Sequence, residues 1–268
     1  MQLLANKIIF FGMELNLDPV AFRIGSKPIY WYGIIIAVGF CLAIIYGYHE
    51  AKRTGFSPDH IANVVLIGTP AAIICARIYY VAFNWQQYKG DWGEIIAVWN
   101  GGIAIYGALI GACLAGFIYC RYKKINFLEL ADIACGGFFI GQSIGRWGNF
   151  VNSEAYGRET SLPWKMGVVE MGRLIYVHPT FLYESLWNGA GFAILWFLRK
   201  RKTYHGQLFY FYVLWYGLGR IWIEGLRTDS LYWGPFRISQ LVALACIIAG
   251  AVLLARGRKK NIKNMKNV

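Results

Sequence analysis

Seven runs of roughly 20 mostly apolar residues follow one another along the chain, separated by short polar segments. At ~1.5 Å per helical residue, a run of about 20 crosses ~30 Å of hydrocarbon. The pattern predicts spanning helices at roughly 28–49, 61–83, 101–120, 128–152, 178–198, 206–225 and 238–255. Lys7 and Glu14 interrupt the apolar residues before them, and no small-residue cleavage site follows. Residues 1–27 therefore read as an interfacial arm rather than a signal peptide. Residues 153–177, with Pro163, several glycines and mixed charge, read as a small extramembrane head inside the 28–255 membrane domain; residues 256–268 form a basic tail. The expected class is an all-α integral membrane protein with seven transmembrane helices. No repeat, direct or inverted, stands out, which weakens a transporter reading because many transporters are built from paired repeats.

Composition supports the membrane reading. Of 268 residues, 57% are hydrophobic and 15% charged, against ~45–50% and ~25% in an ordinary soluble domain. That excludes a cytosolic enzyme or a disordered chain. A net charge of +13 raises nucleic acid as a partner, but the distribution argues against it. Lys52, Arg53, Arg121, Lys123, Lys124, the run 199–202 and the tail place 15 basic residues on one side of the predicted membrane, against nine on the other. The richer side should be cytoplasmic, with the N-terminus outside and the C-terminus inside. Tyr30, Trp31, Trp85, Trp99 and Trp233 fall at span ends, where interfacial aromatics sit. The six cysteines lie in or beside apolar runs with no CxxC pair, and read as small buried hydrophobes. No disulfide framework or zinc site is expected.

Three arginines and two glutamates stand out inside the predicted spans: Arg77, Arg146, Glu184, Arg220 and Glu224. Each costs ~2.5–3.5 kcal/mol near the bilayer centre. The predicted orientation puts Arg77, Arg146, Arg220 and Glu184 in one layer ~7–9 Å below the outer hydrocarbon edge. Tyr32 and Tyr106 lie in or near that layer, with Glu224 closer to the surface. Three arginines against two glutamates leave one positive charge, which an anionic ligand would balance. In the outer leaflet that points to a phospholipid headgroup, since the guanidinium fork suits phosphate oxygens and stays charged when desolvated. Structural readings stand beside this one: Arg77 as the partner of a glutamate or snorkelling to the interface, Glu184 as a helix-pairing counter-ion, and His178 as a capping residue.

The surroundings of two arginines sharpen the picture. Gly137, Gly141 and Gly145 form a smooth helix stripe leading into Gly145-Arg146-Trp147-Gly148-Asn149-Phe150-Val151-Asn152-Ser153-Glu154-Ala155-Tyr156-Gly157. Asn149 and Asn152 offer neutral donors and acceptors, and Glu154 follows just beyond the span. Tyr216, Arg220 and Glu224 share one helix face with Arg227 nearby, so Glu224 can hold Arg220 in a fixed rotamer. His178-Pro179-Thr180-Phe181-Leu182-Tyr183-Glu184 opens the fifth span. GxSxG, HExxH and Walker patterns are absent from the sequence. His49, His60 and His205 fall at cytoplasmic ends.

The segment GRWGNFVNSEAYG at 145–157 resembles the signature of the bacterial prolipoprotein diacylglyceryl transferase family. Leu17-Asp18-Pro19-Val20, Tyr30-Trp31-Tyr32-Gly33, Trp99-Asn100-Gly101-Gly102, HPTFLYE at 178–184 and the stretch Tyr216–Arg227 agree in order and spacing over roughly residues 16–240. The resemblance implies a seven-helix inner-membrane enzyme without metal or cofactor. It would move the diacylglyceryl group of phosphatidylglycerol to the lipobox cysteine of a preprolipoprotein, leaving a thioether and glycerol phosphate. Arg146 and Arg220 match the family's essential arginines, and Tyr32, Asn149, Glu154, Gly157, Glu224 and Arg227 its other important positions. Asn152, His178, Glu184 and Tyr216 complete the expected substrate-binding set, and Arg146, Arg220, Tyr106 and Asn149 the expected catalytic set. Tyr106 stands where many members carry a histidine proposed as the catalytic base. A tyrosine, with an ordinary pKa near ~10, is a poor base at neutral pH. Either Tyr106 acts as phenolate or hydrogen-bond donor, or arginine electrostatics favour the substrate thiolate directly. The alternatives from other classes are a transporter or flippase of an anionic lipid or solute, and a non-catalytic lipid-binding scaffold.

Overall fold

A computed structural model describes residues 7–266. Residues 1–6 of the expected arm and 267–268 of the expected tail lie outside the described residues. The chain divides into two compact units: Gly47–Leu130, and the residues before and after it.

Two helices dominate the Gly47–Leu130 unit, α2 (Pro58–Phe83) and α5 (Ile105–Lys123), with short α3 (Trp85–Tyr88) and α4 (Trp92–Ile96) between them. Pro58 sits in the first turn of α2, where its missing N–H costs nothing. α5 packs so closely on α2 that a Cβ on Gly111 would lie 2.5 Å from the Ala71 carbonyl oxygen, and one on Gly107 would overlap Cys75. These small residues permit near backbone contact. Residues 101–104, expected inside the third span, are not helical: Gly101 and Gly102 have positive φ, and the Ala104 N–H donates to the Ala76 carbonyl at 3.1 Å.

Arg77 organises this connection. It is buried and, among the described residues, pairs with no glutamate side chain, contrary to one expectation. Its Nε donates to the Ile95 carbonyl at 3.0 Å, its Nη1 to those of Gly101 and Gly102 at 2.6 and 2.9 Å, and its Nη2 to that of Glu94. The Tyr88 ring covers the guanidinium at 4.9 Å. Carbonyl dipoles and an aromatic face compensate the charge here.

The second unit begins with β1 (Lys7–Phe10), β2 (Met13–Asn16), β3 (Val20–Ile24) and β4 (Lys27–Tyr30), followed by α1 (Trp31–Thr54), whose first part, to Tyr46, belongs here. α6 (Phe127–Val151), β5 (Met166–Glu170), β6 (Arg173–Val177), α7 (Thr180–Leu198), α8 (Gln207–Leu226), β7 (Tyr232–Trp233), β8 (Phe236–Arg237) and α9 (Ile238–Lys266) follow. The arm and the expected head join in one antiparallel sheet of order β2-β1-β5-β6, with Ile9 opposite Gly167 and Met166 opposite Val177. Ile8, Phe10, Met166, Val168 and Val177 of this sheet pack against Phe150 and Phe181. One apolar cluster thereby ties the sheet to the last turn of α6 and the first turn of α7.

The glycine stripe of α6 meets α1. A Cβ on Gly137 would lie 3.2 Å from the Ala43 carbonyl, one on Gly145 3.1 Å from Ile36, and one on Gly148 2.7 Å from the Tyr32 ring. α9 packs on α8, and α8 on α7. Buried Asp132 of α6 accepts from the Gly206 and Phe209 N–H groups at 2.7 and 2.9 Å and pairs with Lys202 at 3.3 Å, capping α8 from another helix.

Five helices, α1, α2, α5, α6 and α9, are long and apolar enough to cross a membrane. The protein is a mostly helical, multi-pass membrane protein. The cysteines divide: Cys120 and Cys135 are buried, whereas Cys41 and Cys113 lie on exposed helix faces.

Candidate active site

α6, α7 and α8 bring three arginines to one carboxylate. Glu184, in the second turn of α7, contacts Arg146 of α6 through Oε2. Its Oε1 lies 3.1 Å from Arg220 Nη1 of α8 and 3.4 Å from Arg227 Nη1 just beyond it. Arg220 also pairs with Glu224 one turn on, at 2.5 Å, as their spacing predicts. Arg227 holds Asp229 through two hydrogen bonds of 2.9 and 2.7 Å.

Glu224 is packed inside the protein, 1% exposed, and its backbone carbonyl accepts from Arg237. The expected surplus positive charge changes. Arg77 keeps its partners within residues 94–102, while Arg227 and Asp229 join the cluster. Arg146, Arg220 and Arg227 then face Glu184, Glu224 and Asp229, so the group is internally balanced.

The signature segment builds the next layer. Arg146 Nη1 donates to Asn149 Oδ1 at 3.2 Å. Asn149 Nδ2 donates to Glu154 Oε1 at 2.8 Å, and Asn152 Nδ2 reaches the same oxygen at 3.4 Å. The chain turns sharply to make this possible: Ser153 and Ala155 have φ of 52° and 57°, the left-handed region that non-glycine residues seldom adopt. The Ala155 carbonyl accepts from Thr180 Oγ1 at 2.5 Å. Gly157 lies where three segments converge. Its N–H donates to the His178 carbonyl at 2.9 Å, it bridges to Arg227, and a Cβ there would lie 2.7 Å from that of His178.

His178 Nδ1 lies 3.2 Å from the Tyr183 hydroxyl, which accepts from Trp164 Nε1 at 2.8 Å. Burial, and then the charge of Arg158, hold the His178 imidazole below the usual histidine range. For Asp229 burial acts to raise the carboxyl, but the hydrogen bonds and charge of Arg227 outweigh it and hold it low. Tyr216 stacks on Tyr212 at 6.3 Å. Tyr32 lines an open groove of about 670 Å³ with Ile29, Ile34, Ala37 and Asn152. Tyr106 belongs to the Gly47–Leu130 unit, in the first turn of α5, with its ring 6.4 Å from that of Tyr79.

The sequence reading missed Asp229 and the small network of Ser143, Ser185 and Trp147. In that network Ser143 Oγ donates to the Ser185 carbonyl at 2.9 Å and Trp147 Nε1 reaches Ser185 Oγ at 3.2 Å. The Arg-Thr-Asp order at 227–229 was the available signal for Asp229.

A family model described as prolipoprotein diacylglyceryl transferase matches residues 19–256. The chain belongs to the prolipoprotein diacylglyceryl transferase family. A Lysinibacillus sphaericus protein named phosphatidylglycerol–prolipoprotein diacylglyceryl transferase is 48% identical, with 88% of this chain and 90% of that one covered. A Listeria monocytogenes protein of the same name is 47% identical with 91% of each chain covered. A Clostridioides difficile protein of that name is 46% identical, covering 93% of this chain and 99% of its own. In this family setting, the glycines, asparagines and ions of 145–157 meet the ions of α7 and α8 at one place.

Proposed function

We infer that this chain is a transferase that moves the diacylglyceryl group of phosphatidylglycerol to the cysteine thiol of a prolipoprotein. Family membership and the names of relatives spanning nearly the whole chain support the activity. The observation that carries the chemistry is the convergence of Arg146, Arg220 and Arg227 on Glu184.

In the reaction the cysteine sulfur forms a bond to the lipid's glycerol carbon. The bond between that carbon and the phosphate oxygen breaks, and glycerol phosphate leaves. The thiol gives up its proton, and the leaving phosphate gains negative charge. Guanidinium groups set at that phosphate stabilise the charge as it develops, more in the transition state than in the bound lipid. Arg146 and Arg220 take this role in our reading. Glu224 fixes the Arg220 rotamer, and Asn149, held by Glu154, orients Arg146. Arg227, tied to Asp229, closes the third side. Gly157 and His178 support the turn beneath the cluster, and Tyr216 supports α8. The groove beside Tyr32 and Asn152 offers apolar walls for an acyl chain. Tyr106 enters through its alignment with the family's histidine, as hydrogen-bond donor or phenolate toward the thiol.

The topology that goes with this reading has seven spans in a bacterial cytoplasmic membrane. α7 and α8, at 19 and 20 residues, reach ~28–30 Å, enough to cross beside the five more apolar helices. The basic loops face the cytoplasm, and the β2-β1-β5-β6 sheet forms an extracytoplasmic head. The acceptor is the lipobox segment of a signal peptide.

The deciding experiment supplies purified protein with labelled phosphatidylglycerol and a lipobox peptide. Label on the peptide thiol and release of glycerol phosphate are expected. Full activity in both Arg146→Ala and Arg220→Ala would overturn the arginine clamp.

A further inference from the structure

Glu184 is 7% exposed and, among the described residues, is the one acid shared by all three arginines of the cluster. The other two acids are each committed elsewhere: Glu224 to Arg220 at 2.5 Å, and Asp229 to Arg227 at 2.7 Å. Arg146 differs from its neighbours. Besides Glu184 its side-chain partner is the neutral Asn149 at 3.2 Å, and at 26% exposure its side chain is the most open of the three, against 17% for Arg220 and 11% for Arg227.

A carboxylate carries one negative charge on two oxygens, and so does a phosphodiester through its two non-bridging oxygens. Both are matched by the planar guanidinium fork. Without Glu184 the three arginines would keep only Glu224 and Asp229, and Arg146 would have no acidic partner among the described residues; that is costly in a desolvated site, because an unpaired buried charge is expensive. A resting cluster needs an internal anion, and a working one must offer the same donors to phosphate.

We propose that Glu184 is that internal anion: it holds the phosphate position of the cluster and gives up Arg146 when the phosphodiester of the substrate arrives. Glu184 is then a positioning residue whose charge competes with the substrate. The same competition assists release of glycerol phosphate, because the carboxylate returns as the product leaves. The proposal rests on the reading of the arginines as a phosphate clamp.

The test compares wild type with Glu184→Gln, which keeps the size and one acceptor oxygen but removes the charge. Apparent KM for phosphatidylglycerol in mixed micelles is measured beside the inhibition constant of glycerol phosphate. Glu184→Gln should lower both by about five-fold or more, with kcat falling as product release slows. A simple structural defect would raise KM or lower kcat alone. Glu184→Asp, too short to span Arg146 and Arg220 together, should lower both constants by a smaller factor, and it decides the matter if Glu184→Gln does not fold. Unchanged or raised constants in the folded variant overturn the proposal. The clamp has its own readout: Arg146→Ala and Arg220→Ala should weaken both ligands. If they do so while the Glu184 variants show no tightening, the resident-anion role alone fails. If they do not, the clamp fails with it.

Discussion

Trp187 of α7 and Trp215 of α8 exchange hydrogen bonds. Each indole N–H donates to the other residue's backbone carbonyl, at 3.0 and 2.9 Å, and the rings stack 4.5 Å apart. Each ring also lies over a glycine of the facing helix, Trp187 over Gly219 and Trp215 over Gly191. Arg220 follows Gly219 directly, and Glu184 lies one turn before Asn188, so the zipper sets how the two ions meet.

Gly219→Ala should therefore act on stability and site together. Its methyl group would collide with the Trp187 indole, and overpacking typically costs ~1–3 kcal/mol. Thermal unfolding in detergent should show a lowered midpoint, with reduced transfer activity in the variant that remains folded. A wild-type midpoint would mean that Trp187 can move aside freely.

Removing either clamp arginine should cost about 10²-fold or more in turnover, the scale found when a charge-stabilising donor is lost. Lysine in place of Arg146 should restore only part of it, because an ammonium cannot bridge Glu184 and Asn149 as a planar fork does. Peptide lipidation at saturating phosphatidylglycerol measures both.

Tyr106→Phe separates a role for this hydroxyl from arginine electrostatics acting alone. If the hydroxyl donates a hydrogen bond or acts as phenolate, turnover falls across pH. Tyr106→His should keep activity and bring a dependence on histidine protonation near pH ~6.5. Turnover of Tyr106→Phe equal to wild type at every pH leaves arginine electrostatics as the means of favouring the thiolate.

Arg77→Lys should loosen the connection between α2 and α5. A lysine has one nitrogen in place of a fork that reaches four carbonyls. Amide exchange over residues 94–104 should accelerate, while the β2-β1-β5-β6 sheet keeps wild-type protection.

Asp229 supplies a pH test. Its carboxyl is held below the usual range in the folded protein, so the Arg227 pair contributes fully above the ordinary aspartate pKa and fades as pH falls through the lowered one. Asp229→Asn should remove part of the acid-side loss of stability and leave little change in slope near neutrality. Because Asp229 is half exposed, solvent screening keeps the effect small.

Much of the fold was legible because hydrophobic length is a local property. The predicted spans meet the long helices within a few residues, as with 128–152 against α6 and 238–255 against the start of α9. The Arg220–Glu224 pair was equally legible, since i and i+4 face each other on any helix. The strands were not. β1, β2, β5 and β6 are four or five residues long, and their pairing joins residue 9 to residue 167, a relation with no local signature. Asp132 went unnoticed inside an apolar span because its partners, Gly206 and Phe209, come from a distant turn.

The sequence by itself determined that this is a helical membrane protein, which family it resembles, and which residues carry charge in its spans. Tertiary structure decided who pairs with whom. Arg77 and Arg146 look alike in sequence, each an arginine within an apolar helix. One is compensated by backbone carbonyls of its own unit, the other by a glutamate from another helix. The reason is physical: a buried charge takes whichever dipoles or counter-ions packing brings within hydrogen-bond reach, and packing depends on contacts between segments far apart in the chain.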